Sequence, residues 1–462
     1  MTLYDEVEYP SRSFNQTHPE RAATIGTLLG MSPPTPATCR VLEVGCGSGW
    51  NLIPMAAAVP RAQIFGFDLA ASAIDAARRD TAALGLSNLR FECLDLLEFP
   101  KDLGPFDYII AHGFYSWVPA PVRLRLLELC REQLTPQGLA FISFNAKPYA
   151  TLRLMWREMM QYHSDLTGAT SPADRVTQSQ AFLKILQSQW TRNKRTTAHA
   201  KLLDVQIAAF ENAGGHWFFH DDLGPIFDSF SIAEFSRQLE PHGLQFAAEA
   251  MFDNLFAEQQ ETADWIAWEQ SRDSIAFRGF RNVLICHRDQ VLGRPPDPAR
   301  FERTSFAAPL TRVSQAVFRN DWNAAEAEST DAETIAVLER LGKAWPSSVS
   351  YNDLGATPAM LQDFTLSNVI EPCLTPRQLP MPAWRITATP VAWASARLQA
   401  ERGQIVTNRL HGAVQLDQEP LRQLLLGLDG TRALAEFQHL FPSQQVLLEQ
   451  VAWLHREALI QG

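Results

Sequence analysis

The sequence lacks a basic balance, a long apolar run and paired cysteines, and each absence excludes something. Lys and Arg total 40 against 51 Asp and Glu, a formal charge of −11. Residues 291–462 hold 18 acids and 15 bases, which is −3, and the first 290 residues carry the other −8. Both portions are acidic, which argues against a general nucleic-acid binder. One stretch runs the other way: residues 170–203 set Arg175, Lys184, Arg192, Lys194, Arg195 and Lys201 against Asp174 alone. Such a run reads first as a solvated helix face. No segment approaches the ~18 apolar residues of a membrane-spanning helix. The opening MTLYDEVEYP has neither the basic nor the apolar region of a secretory leader, so no membrane insertion is expected. The six cysteines (39, 46, 93, 130, 286, 373) form no CxxC pair, and no metal site is expected from them. A disulfide framework is not expected either, and the reading is a reducing, cytoplasmic protein. Glycine (24) and proline (29) are too sparse for low complexity, and 46% apolar residues supply a core. At about 150 residues per domain, 462 residues suggest about three domains.

From Cys39 onward strands alternate with helices. RVLEVGC (40–46) is an apolar run closed by glycines, as in a buried parallel strand. A helix from Trp50 to Ala58, QIFGFDL (63–69), a helix over 70–84, LRFECLDL (89–96), FDYIIAHG (106–113), a helix over 121–134 and LAFISFN (139–145) follow. The alternation predicts βαβ units in a parallel sheet covered on both faces. SIAEFSRQLEPHGLQFAAEAMF (231–252) and FRNVLICHR (280–288) supply a capped helix and two further strands of that sheet. The expected architecture is α/β: a seven-stranded Rossmann-like core over 1–164 and 226–290, with a helical insertion over 165–225. GRPPDPAR is a linker signal. Beyond it, 291–462 is expected to be mainly α, in modules of winged-helix type.

The strongest chemical signal is Glu43-Val44-Gly45-Cys46-Gly47-Ser48-Gly49 between the first strand and helix. Glycines there let the backbone turn tightly and approach a ligand. A dinucleotide fingerprint would need its third glycine at position 50, which is Trp50. The GxGxG form after an acid resembles instead the first motif of the class I S-adenosylmethionine-dependent methyltransferases. Asp68 follows nineteen residues after Gly49 at the end of the second strand, where a carboxylate accepts ribose hydroxyls. Asp95 ends the third strand. There the resemblance implies an acceptor for the adenine amino group, with the Leu96 amide on the ring. Glu43, Gly45, Cys46, Gly47, Gly49, Asp68, Leu69, Asp95, Leu96 and His112 form the expected cofactor set.

Ligands of open α/β sheets bind beyond the carboxyl ends of the strands. The fourth strand ends Ala111-His112-Gly113-Phe114-Tyr115-Ser116-Trp117-Val118-Pro119, without the NPPY form of amino-methylating DNA enzymes. Aromatic faces hold ammonium groups, and a histidine can take a proton from a nitrogen. His112, Tyr115 and Trp117 are therefore the catalytic candidates. Tyr115, Trp117, Asn145 and Tyr149 are the expected acceptor wall. The plain alternative is a loop of packing aromatics.

Tyr9…Phe14-Asn15-Gln16-Thr17-His18-Pro19, VLEVGCGSGWNLIPMA, AHGFYSWVP and SFNAKPY resemble the bacterial methyltransferases with a methyltransferase regulatory domain. These include the rickettsial outer-membrane protein lysine methyltransferases. The likeness continues faintly through HDDLGPIFDSFSIAEF, FRNVLICHR, VTNRLHGAVQLD and LLGLDGTRALAEF. It implies that the N-terminal segment helps close the cofactor site, through Tyr9, Gln16 and His18. Phe14 departs from the tyrosine expected there, and SFNAKPY from the more usual SYNTLPG. The leading expectation is methyl transfer from S-adenosylmethionine to a protein amine, with lysine foremost and a homodimer allowed. A small-molecule acceptor is the second reading, and a non-catalytic cofactor-binding regulator the third.

Overall fold

A computed structural model describes residues 11–194, 196–213, 215–255 and 264–461. Its centre is one sheet built from β1 (Arg40–Val44), β2 (Gln63–Asp68), β3 (Leu89–Cys93), β4 (Phe106–Ala111), β5 (Leu134–Ala146), β6 (Ser229–Phe230), β7 (Leu244–Glu249) and β8 (Phe280–His287). The order is β3-β2-β1-β4-β5-β8-β7, with the two-residue β6 paired to the end of β5. β1 to β5 are mutually parallel, and β8 runs antiparallel to both neighbours. This is the expected seven-stranded sheet.

Alternation along each strand decides which face a residue fills. Val41, Ile64, Tyr108, Ile110 and Phe141 pack on one side, against α1 (Pro19–Leu28) and α2 (Leu52–Ala58). Leu42, Phe65, Phe67, Ile109 and Ile142 pack on the other. α3 (Ala71–Ala83) connects β2 to β3, and α4 (Ala120–Gln133) connects β4 to β5. Burial on both faces is why these strands read as continuous apolar runs.

The helical insertion comprises α5 (Tyr149–Leu166), α6 (Pro172–Arg192), α7 (Thr197–Ala213) and α8 (Gly215–Leu223). It has its own core: Trp156 and Met160 of α5 close on Leu183, Leu203, Ile207 and Phe218. The bundle thus includes α5 and begins at Tyr149, earlier than the expected 165. The basic run lies on α6, α7 and the turn between them, where Lys184, Arg192, Lys194 and Lys201 are exposed. The chain returns through α9 (Ile232–Leu239), whose Ser231–Glu234 capping box matches the serine cap read from sequence, and α10 (Trp265–Ile275).

The region after 290 adds short strands to the expected helices. Leu310–Arg312, Val317–Asn320 and Glu326–Glu328 form one antiparallel sheet. Val349–Ser350, Ser305–Ala307 and Glu371–Cys373 form another. Two to four residues are too few to reveal a period of two. Despite the linker signal, this middle region shares a core with the sheet: Phe301, Phe306 and Leu338 cluster with Ile25 and Leu52. The last module has a separate core of Ala396, Leu424, Leu447 and Leu454. No helix among the described residues is long and apolar enough to cross a membrane.

Arg281 on β8 is fully buried among three carboxylates, at 3.0 Å from Glu249 and 2.8 Å from Glu269 and Asp273. Removing the cation takes from these acids their one fully buried partner and leaves Arg278 and Arg272 at the edge of the cluster to balance three charges. Arg281→Met is expected to destabilise the core by about 3–5 kcal/mol, read as a lower urea midpoint; an unchanged midpoint would refute the pairing.

Candidate functional site

The strand order reverses between β1 and β4, and the loops after these two strands flank that switch point. The turn after β1 places Gly45, Gly47 and Gly49 at φ of +71°, +53° and +77°, a region that favours glycine. A Cβ at Gly45 would stand 2.6 Å from the Phe114 ring, and one at Gly49 would run into the Phe91 ring, so these two serve packing. A Cβ at Gly47 would meet nothing within 4 Å, so the turn faces open space there. Asp68 ties the turn to β2: its Oδ2 accepts from the Gly47 amide and its Oδ1 from the Ala70 amide, both at 2.9 Å.

Glu43 lies beneath the turn, 3% exposed. Its Oε1 accepts from Asn51 Nδ2 at 2.7 Å, while its buried Oε2 has no hydrogen-bond partner. Burial pushes its carboxyl up to about 8, Asn51 opposes this, and the Asp68 charge adds to it. An unmatched buried acceptor costs about 1–3 kcal/mol, so a cationic donor is favoured beside it. At the ends of β2 and β3, Leu69 and Leu97 stand 55% and 51% exposed, two apolar side chains suited to a flat ring. Asp95 Oδ1 accepts from the Leu97 amide at 2.9 Å, and the Leu96 side chain is buried in the core. The orphaned carboxyl oxygen, the open space over Gly47 and the apolar pair all fit S-adenosylmethionine. Cys46 is buried, and burial raises its thiol well above the ordinary range, so it is not a thiolate.

The N-terminal segment crosses the start of α2. The Trp50 amide donates to Ser11 Oγ at 3.2 Å. The Phe14 amide donates to Asn51 Oδ1 at 3.1 Å, and Thr17 Oγ1, which donates to the Phe14 carbonyl at 2.8 Å, lies equally near that oxygen. Tyr9 lies outside the described residues, and Gln16 is half-buried on this segment. His18 caps α1, its Nδ1 accepting from the Glu20 amide at 3.2 Å, and its ring meets His411 at 5.2 Å. Through His411 it connects to Asn51, two residues beyond the glycine turn.

On the β4 side, His112 Nδ1 is 3.1 Å from Ser143 Oγ, which also accepts from the Gly113 amide at 2.8 Å. The ring packs 4.0 Å from Phe14 and 6.1 Å from Phe280. Burial and the Arg12 guanidinium push His112 down to about 4, so it is neutral near pH 7. Trp117 is half-buried, edge-on to Phe227 at 5.4 Å, with the Arg157 guanidinium 6.0 Å from its ring. Asn145 is buried; its amide N–H donates to Ser116 Oγ at 2.8 Å and its Nδ2 has no partner. Tyr149 donates to Gln206 Oε1 of α7 at 2.9 Å, joining the strand end to the insertion.

Tyr115 corrects the expectation. It is 0% exposed, wedged against Phe230 and Phe235, and its hydroxyl donates to Gln238 Oε1. The 3-10 turn Tyr115–Trp117 sends it into the core beneath α9. Asn51, Leu97, Phe114 and Phe227 were not anticipated. Asn51 stands where an N-cap would, yet its side chain makes no cap bond and turns to Glu43.

Comparison with known proteins gives two family models: a methyltransferase domain over residues 41–138 and a "PKMT, C-terminal winged helix domain" over 389–444. Two uncharacterized proteins of Rickettsia prowazekii are each 34% identical to this chain. One matches over 300 residues, 63% of this chain and 54% of its own length. The other matches over 223 residues, 48% of this chain and 88% of its own length. This chain thus spans about half of the first relative. PKMT2 from Rickettsia typhi shares the fold, with a TM-score of 0.84 at 22% identity over 98% of this chain and 100% of that one. It has also been solved in complex with AdoHcy.

Half-buried His112 and His18 and fully buried His411 make stability sensitive to acid, His18 too being lowered to about 4. His112 is lowered to about 4 and His411 well below the usual 6.5, burial being the first cause for both. The unfolded chain binds protons below 6.5 that the folded chain refuses, so stability falls as pH drops from 6.5 towards 4. His112→Phe should flatten that fall by at most about 1.4 kcal/mol per pH unit, measured as Tm against pH; a parallel curve would contradict a neutral His112.

Proposed function

Because the chain belongs to the class I S-adenosylmethionine-dependent methyltransferases, we propose that it methylates amino groups of proteins, lysine side chains foremost. The observation that carries this reading is the end-to-end likeness to a protein named PKMT2, insertion and winged helix included, with the matching winged-helix model.

The cofactor supplies an electrophilic methyl group, displaced from sulfur by the lone pair of a neutral amine. The residues of this chain hold the reactants. Asp68 takes the ribose hydroxyls, Glu43 faces the cationic end of the cofactor, and Leu69 and Leu97 flank the base near Asp95. Trp117, with Phe227, offers aromatic surface to the acceptor, and Asn145 offers an unpaired Nδ2 at the end of β5. Positioning is the main contribution. A lysine ammonium titrates near 10.4, far above His112 at about 4, so His112 is a poor proton acceptor. An aromatic, partly desolvated surface instead favours the neutral amine, and its proton leaves to water before attack. His112 then shapes the site through Phe14 and Ser143. The bundle α5–α8 and the C-terminal modules border the cleft and set what enters it.

Asp68→Ala is expected to weaken S-adenosylmethionine binding at least about 100-fold by calorimetry, since charge-assisted bonds contribute roughly 1.5–3 kcal/mol each. Unchanged affinity would remove the ribose assignment. Trp117→Ala should lower transfer about 10-fold, in line with ~1–2 kcal/mol for a desolvated cation–π contact, and leave cofactor affinity intact. Label from tritiated S-adenosylmethionine in a cell lysate should appear on protein; label confined to small molecules would favour the small-molecule reading.

A further inference from the structure

Asn51 is a junction between three distant parts of the chain. Its Oδ1 faces the Phe14 amide, which can only donate, so its Nδ2 must point to Glu43. The same Oδ1 lies 3.0 Å from His411 Nε2, 360 residues away. An oxygen that only accepts requires the proton on Nε2, so His411 donates.

His411 belongs to the last module, at the tip of the hairpin formed by Ile405–Thr407 and Ala413–Gln415. It is 2% exposed and holds φ at +65°, a region a side-chain-bearing residue seldom adopts. Asn408 braces the tip by accepting from the Leu410 and Gly412 amides at 3.0 and 2.8 Å. A backbone kept in this conformation at a buried tip points to a placed side chain. The module is docked by further contacts. Ser13 Oγ meets Thr407 Oγ1 at 2.9 Å, Arg402 grips Asp80 of α3, and the Arg402 guanidinium lies 5.7 Å from the Trp50 ring.

We propose that His411 is a positioning residue of the cofactor site: through Asn51 it fixes the Glu43 carboxyl, so the C-terminal module completes that site from outside the sheet. The inference rests on the methyltransferase reading. When the module is docked, the Asn51 oxygen accepts from the Phe14 amide and from His411, which leaves one direction for its own N–H. Glu43 Oε1 is thereby occupied and Oε2 is left for the cofactor. When the module is undocked, Asn51 loses the His411 donor and keeps only the Phe14 amide on its oxygen, so the carboxyl is held less firmly. Coupling between sites is reciprocal, so cofactor binding must also hold the module in place.

The test measures S-adenosylhomocysteine affinity by calorimetry on the full chain, without turnover. His411→Phe keeps the ring and removes the donor. It should fold and raise Kd about 10-fold, within the ~5–150-fold span of such couplings. Glu43→Gln should also raise Kd, and the double variant should bind no worse than the weaker single variant, because both act on one unit. In hydrogen exchange, S-adenosylhomocysteine should slow residues 405–415 of wild type and do so less in His411→Phe. Wild-type affinity in folded His411→Phe, effects that multiply in the double variant, or an unresponsive hairpin would each overturn the proposal. If His411→Phe does not fold, His411→Asn carries the same test, since asparagine accepts the left-handed backbone and ends short of Asn51. Failure of wild type to bind S-adenosylhomocysteine would strike the methyltransferase reading itself.

Discussion

Parallel pairing of β1 to β5 is the constraint on which the rest depends. In-register parallel strands end on one edge, and helices crossing back to start the next strand leave their connecting loops there. Glu43, Asp68, Asp95, His112 and Asn145 come from five different strands or their first following residues, yet share that edge. No local sequence rule brings them together. Reversal of strand order about β1 and β4 then parts the loops and leaves a crevice between the glycine turn and His112.

The sheet was legible because double burial imposes unbroken apolar runs, and the glycine turn because left-handed backbone demands glycine. Asp68 was legible by its place at a strand end. What stayed hidden was side-chain direction. Tyr115 stands two residues before Trp117 in one 3-10 turn, and the turn sends the two to different environments. Composition marks both as aromatic and cannot separate them. Asn51 was hidden by its own plausibility, since asparagine at a helix start reads as a cap. His411 was hidden by distance: 360 residues separate it from the amide it meets.

The middle region shows how a linker signal misleads. GRPPDPAR does interrupt regular structure, but a proline-rich stretch marks only where helices and strands stop. It does not mark where a core ends. Phe301 and Phe306 carry apolar surface back to α1 and α2, and Arg300 donates to the Leu28 carbonyl. Domain boundaries follow buried surface, and buried surface is set by residues on both sides of the linker.

The same logic governs the last module. Its own core would let it stand apart, yet it spends polar groups on the rest of the chain. Arg402 meets Asp80, Thr407 meets Ser13 and His411 meets Asn51. Polar contacts gain little net stability over water, so they are a poor means of gluing two modules. They are a good means of fixing orientation, because each bond has a direction and fails when misaligned. Apolar packing would have served docking alone. A hydrogen-bonded interface that ends on Glu43, with one carboxyl oxygen satisfied and the other kept open, is suited to transmitting position to a ligand.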